Sequence, residues 1–276
     1  MMKICVFGAS GYVGASIYKK LKDKPEADVV GTYLEEPRLS DDLYKLDVNE
    51  PESFSNFYKN EKPDVVVWAV MSGPNEHTLT DQGLMHLLTH IPPQTKLIYV
   101  SSDFVFSHGE GPYSEEDPMS NLPDDHSFSN YTNGKVKAEK LIAKELSNYV
   151  ILRVGPVYGE NAAGKLDDRT DQLSYHLRSN KPIGFRDDLT RTFVHIEDLT
   201  DVLNEMVFNE VTGVYHAGPE KDQSLYAFMK DQARQLGYDE SFVIKGDEEE
   251  EVDAEIPKNT SLLTDKIKQV TNKQFR

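Results

Sequence analysis

Short apolar runs alternate with longer amphipathic stretches through the first half of this chain, and that alternation restricts the fold more than any other feature. KICVFGA is followed by ASIYKKLKD, DVVGTY by PESFSNFYKN, DVVVWAV by LTDQGLMHLLTH, KLIYVSS by NGKVKAEKLIAKEL, and YVILRV closes the series. Strands that are apolar along their whole length bury both faces, as in a parallel sheet covered by helices on each side. The pattern predicts a doubly wound α/β domain over residues 1–154. Beyond it come a helical stretch DQLSYHLRSN, the segment RTFVHIEDLTDVLNEMV, a strand GVYHAG and a helix SLYAFMKDQARQLG. Residues 155–276 are expected to form mainly a smaller substrate-binding domain, with some segments returning to the first sheet.

Composition narrows the partners. With 47 acidic residues against 30 basic ones the formal net charge is -17, so nucleic acid and anionic membranes are repelled and neither is an expected partner. The lone cysteine, Cys5, precludes an intrachain disulfide and a cysteine-based zinc site, and the histidines lack metal-ligand spacing; no metal is expected. MMKICVF lacks the apolar region of a signal peptide and no stretch approaches a membrane span, so a cytoplasmic location is expected. The acidic run DEEEEVDAE has no glycines at calcium-loop spacing and reads as a solvated loop.

In an open parallel sheet ligands bind at the carboxyl ends of the strands. After the first apolar run comes GASGYVG, with Gly8, Gly11 and Gly14 at every third position. Glycine admits positive φ and lets another group approach the backbone, so this turn serves either close strand-helix packing or a phosphate. After the second run come Glu35, Glu36 and Arg38. An acidic residue there favours the free ribose hydroxyl of NAD and an arginine the 2'-phosphate of NADP, so either cofactor is compatible. Asp47 and Val48 of KLDVNEPES are suited to the adenine edge, or Asp47 caps a turn.

The fourth run ends in YVSSDFVF, and because neighbouring strand residues point to opposite faces only one of Ser101 and Ser102 can face a cofactor. Downstream, NYTNGKVKAEK reads as a helix start with Tyr131 and Lys135 at i and i+4. On one helical face the ammonium lies near the phenol, favours its ionised form and draws its pKa from about 10 toward the working range.

The ordered set GASGYVG, LDV, SSDFVF, YTNGK followed by AE, ILRVGPVYG, RTFVHIEDL and GVYHAG resembles the extended short-chain dehydrogenase/reductases, and within them most of all the dTDP-4-dehydrorhamnose reductases. PKNTSLLTDKIKQ is similar to that branch's ending, so the likeness spans nearly the whole chain. It implies an NAD(P)-binding Rossmann fold and NAD or NADP as cofactor. Gly8, Gly11 and Gly14, with Ser10, Tyr12 and Val13 of the same turn, would then hold the pyrophosphate, and Asp47 and Val48 would also contact the cofactor. Ser102 would bond the substrate carbonyl, Tyr131 would transfer the proton, and Lys135 would hold the nicotinamide ribose and tune Tyr131. Asp103 and Arg191 would face the substrate, a nucleotide-linked sugar in this branch, and a homodimer is the expected assembly. Arg191 either reaches the substrate phosphates or pairs at the surface with Asp198 or Glu197; His195 reads as a packed histidine.

The chain departs from the reductase pattern at several places. Trp68 and Met71 of WAVMSGPNEH stand in a stretch usually rich in alanine and are expected to alter the wall beside the cofactor. The segment near NLPDDHSF is longer, Gly155 and Pro156 replace an aromatic position, and Ile256 stands where an arginine precedes Pro257. These changes bear on the sugar and nucleotide side. Two alternatives follow from the same residues: a sugar-nucleotide epimerase or dehydratase, and a regulatory dinucleotide-binding protein similar to the beta subunit of methionine adenosyltransferase, which shares the Ser-Ser-Asp form.

Overall fold

Seven strands form one sheet in the computed structural model, which describes residues 1–36, 40–246 and 256–276. Arg38 and the acidic run at 247–255 lie outside the described residues. The strands are β1 (Met2–Phe7), β2 (Ala27–Tyr33), β3 (Tyr44–Lys45), β4 (Val65–Trp68), β5 (Lys96–Ser102), β6 (Tyr149–Val154) and β7 (Gly213–Ala217). All neighbours pair in parallel, in the spatial order β7-β6-β5-β4-β1-β2-β3. Chain order reverses between β1 and β4, and that switch point is where an open α/β sheet leaves a crevice at its carboxyl edge.

Helices cover both faces, as continuous apolar strands require. On one side lie α1 (Tyr12–Lys22) and, far along the chain, α6 (Ile196–Phe208); on the other lie α2 (Pro51–Glu61), α3 and α4 (Ser129–Glu145). Helix α3 runs through Glu76–Leu79, a π turn at Thr80–Leu84 and Met85–His90. Strand parity divides the core between the faces. Ile4 and Val6 pack with Ile17, Leu21, Val202 and Met206, whereas Cys5 and Phe7 pack with Phe54, Phe57, Leu84 and Ile142.

A separate apolar cluster lies wholly beyond residue 155. Leu173 and Leu177 of α5 (Asp168–Arg178) meet Phe228 and Met229 of α7 (Leu225–Gln235), together with Ile183, Phe185 and Phe193. By contrast α6 and β7 return to the first sheet, β7 pairing with β6 from Gly213 opposite Val150 to Ala217 opposite Val154. Among the described residues no helix is long and apolar enough to cross a membrane.

Candidate active site

The glycine turn begins where β1 ends. Gly8 sits at φ 81°, a conformation L side chains rarely adopt, and a Cβ on it would meet the Ala69 carbonyl oxygen at 3.0 Å. A Cβ on Gly14 would collide with the Gly8 carbonyl oxygen, so these two glycines let α1 lie against the strand ends. Gly11 differs. It is exposed, caps α1 in extended geometry, and a Cβ there would meet within 4 Å only the Gly8 carbonyl oxygen, at 3.1 Å. With no acidic residue in the first turn of α1, the open side of Gly11 is a cradle suited to an anion.

That cradle opens onto a cavity of 400 Å³ walled by the carboxyl ends of β1, β4, β5 and β6. Gly11, Tyr12 and Val13 form one side, Ala69 to Met71 another, and Ser102, Asp103, Tyr131 and Lys135 the floor toward α4. Three sequence-predicted catalytic groups therefore share one cavity with the turn. Ser101 and Ser102 divide as strand parity requires: Ser101 Oγ donates to Glu139 Oε1 (2.5 Å) inside the protein, while Ser102 lines the cavity beside Tyr131. Ser102 Oγ accepts from the Phe104 amide and donates to Asp103 Oδ1, both at 3.2 Å.

Lys135 Nζ lies 6.0 Å from the Tyr131 ring centre and 4.9 Å from that of Tyr99. Its ion partner is Glu76 Oε1, 2.8 Å away, with both side chains almost fully buried. Here the structure corrects the expected titration of Tyr131. Burial raises its pKa and outweighs the lowering by Lys135 and by the nearby Ser102 hydroxyl, while the carboxylates of Glu76 and Asp103 push it further up. The phenol keeps its proton at neutral pH.

Arg191 is the second departure. It is buried (4% exposed), and its guanidinium donates to the carbonyls of Thr190 (2.7 Å), Lys258 (3.0 Å) and Pro257 (2.7 Å). Its carboxylate neighbour is Asp103, at 3.8 Å, and not Asp198, which binds Lys273 and Arg276. Arg191 does not line the cavity. Among the described residues that do, the charged ones are Asp103, Lys135 and Arg169. Arg169, in the first turn of α5, was not anticipated from sequence; it donates to the Val157 carbonyl at 2.9 Å, and its Nε lies 3.7 Å from Asp167 Oδ1.

The remaining positions divide similarly. Asp47 caps a turn through the Asn49 amide (2.9 Å), the Val48 carbonyl bonds His86, and neither residue lines the cavity, nor does Ser10. Met71 lines its mouth, 67% exposed, as expected. Trp68 does not: strand parity turns it into the core against Phe7, ring centres 5.3 Å apart. His195 caps α6 through the Glu197 amide and packs on Tyr158.

Among solved structures, a hypothetical dTDP-4-dehydrorhamnose reductase from Sulfolobus tokodaii superposes with a TM-score of 0.83 at 18% identity, covering 99% of this chain and 96% of that one. A dTDP-4-dehydrorhamnose reductase from Bacillus anthracis, solved in complex with NADP, superposes with a TM-score of 0.79 at 16% identity, covering 100% and 95%. These likenesses establish the fold. In sequence, methionine adenosyltransferase 2 subunit beta of Rattus norvegicus is 22% identical over 96% of this chain and 81% of its own length. The family described as the RmlD substrate binding domain matches residues 92–276, from just before β5 through the candidate acid and the C-terminal cluster, and the chain belongs to that family.

Proposed function

We propose that the chain is an NAD(P)-dependent reductase of a nucleotide-linked keto sugar. The observation that carries this reading is the convergence of Ser102, Tyr131 and Lys135 on one cavity with the open side of Gly11. The dinucleotide would lie with its pyrophosphate at the Gly11–Val13 backbone and its nicotinamide end toward Lys135; when bound, it supplies a hydride to the carbonyl carbon. The chain's own groups handle the proton. Ser102 turns its single hydroxyl hydrogen from Asp103 to the carbonyl oxygen and orients it, and Tyr131 Oη gives its proton to that oxygen as the hydride arrives at carbon, leaving an alcohol and a phenolate faced by the Lys135 ammonium.

In this reading Arg169, not Arg191, is the guanidinium that meets a diphosphate, because it is the arginine on the cavity wall. The test is oxidation of NADH and NADPH with a panel of nucleotide-linked 4-keto sugars and the corresponding free sugars. Turnover of the linked forms is expected, and equal turnover of the free ketones would refute the substrate class.

A second reading has its own support in the similarity to methionine adenosyltransferase 2 subunit beta over 96% of the chain: a dinucleotide-holding subunit of another enzyme. It predicts a stable complex with a methionine adenosyltransferase that does not depend on the Tyr131 hydroxyl.

A further inference from the structure

Glu76 is 0% exposed, and it is a carboxylate placed against the lysine of the candidate site. Its two oxygens have separate partners: Oε2 accepts from the Ser72 amide at 2.8 Å, and Oε1 faces Lys135 Nζ at 2.8 Å. The backbone is shaped to allow this. A Cβ on Gly134 would come within 2.8 Å of the Glu76 carbonyl carbon, so α4 can lie this close to the start of α3 only because residue 134 is glycine. Thr80 Oγ1 donates to the Gly134 carbonyl (3.2 Å) and ties the two helices at the same level.

We propose that Glu76 is a positioning residue: it divides the Lys135 ammonium between its own carboxylate and the Tyr131 phenol, and so keeps the proton on Tyr131 Oη until a substrate carbonyl takes it. The inference rests on the reductase reading above.

Its physics is electrostatic. An ammonium fully committed to the phenol would stabilise phenolate in this buried setting; one that shares its field with a carboxylate stabilises it less. The charged and titratable groups facing Tyr131 are Lys135 on its own helix, Glu76 on α3 and Asp103 after β5. Asp103 is itself engaged by Thr260 at 2.5 Å and by Arg191, and Tyr99 of β5 lies against Lys135. Of the two carboxylates, Glu76 is the one in direct contact with Lys135. Glutamine at position 76 retains an oxygen for the Ser72 amide and deletes the charge.

The test reads Tyr131 directly. Protein carrying tyrosine labelled with carbon-13 at the ring carbon bearing the hydroxyl is titrated by NMR, with the Tyr131 signal identified by its loss in Tyr131→Phe. Glu76→Gln should lower the midpoint of the Tyr131 signal by about one pH unit or more, a tenfold or greater change in proton affinity. Glu76→Asp, which keeps the charge, should return it toward wild type. In turnover, the alkaline limb of kcat should move the same way, because the acid is lost at lower pH when its proton is held less tightly. A Tyr131 midpoint that is unmoved or raised in Glu76→Gln overturns the proposal. Should that variant fail to fold, Glu76→Gln/Lys135→Met buries no net charge; its Tyr131 midpoint should rise by clearly less than in Lys135→Met alone, because the opposing field of Glu76 is removed too, and an equal rise overturns the proposal. Because the NMR titration needs no substrate, absence of turnover with a shifted midpoint would count against the reductase reading and leave the role of Glu76 standing.

Discussion

Arg191 Nε stands 3.8 Å from Asp103 Oδ2, and the rest of its guanidinium is spent on main-chain carbonyls at Thr190, Pro257 and Lys258. It thereby braces the C-terminal segment against the carboxylate next to Ser102. Removing one member of a buried, hydrogen-bonded pair strands the other, so Arg191→Met should destabilise the protein by roughly 3 kcal/mol in urea unfolding. A variant with wild-type stability and a selectively raised KM would return Arg191 to the substrate.

Arg169 should behave in the opposite way. It sits on the cavity wall, and a charge-assisted contact to a phosphate is worth roughly 1.5 to 3 kcal/mol. Arg169→Ala is expected to weaken, by about tenfold or more, either NADH or a nucleoside diphosphate in calorimetric titrations, with a smaller loss of stability than Arg191→Met. Which ligand weakens identifies the diphosphate it meets; unchanged affinity for both would remove it from the site.

The three glycines of the turn differ in role. Gly14→Ala forces a methyl group into the Gly8 carbonyl and should lower stability by about 1 to 3 kcal/mol, the scale of overpacking. Gly11→Val faces the cavity, so it should raise the Kd for NADH with a much smaller change in Tm. Equal loss of stability in both variants would mean that Gly11, too, is there for packing.

His216 gives a pH prediction. Burial and the neighbouring Arg153 lower its pKa to about 3, and its Nδ1 bonds the Leu263 carbonyl at 3.1 Å. The unfolded imidazole titrates near 6.5, so between pH 6.5 and 3 the unfolded chain binds the extra proton and stability falls as pH falls. His216→Asn should flatten that part of the stability profile, measured by urea unfolding from pH 7 to 4. A slope identical to wild type would contradict the assignment.

The fold was legible because its information is local. Apolar runs such as KICVF and YVILRV show their burial on two faces, and the i, i+4 spacing of Tyr131 and Lys135 survives in α4. Strand parity decides between Ser101 and Ser102 and equally takes Trp68 into the core with Val66. What was not legible depends on contacts remote in sequence. Arg191 is claimed by carbonyls 66 and 67 residues away, and Glu76 reaches Lys135 only through the close approach of two helices at Gly134. Arg169 lies in the first turn of α5, a helix that packs on the separate C-terminal cluster, and nothing local marks it as facing the cavity of the first sheet.

The central claim is that this cavity passes a hydride to a sugar-nucleotide carbonyl while Tyr131 supplies the proton. It is tested most directly by following the label from NADH or NADPH deuterated at nicotinamide C4 into a nucleotide-linked 4-keto sugar, by mass spectrometry of the product. The account predicts one deuterium in the alcohol formed by wild type, and with Tyr131→Phe a rate lower by on the order of a hundredfold at nearly unchanged cofactor affinity. Dinucleotide binding without deuterium in any product, or the same rate in both proteins, would contradict it.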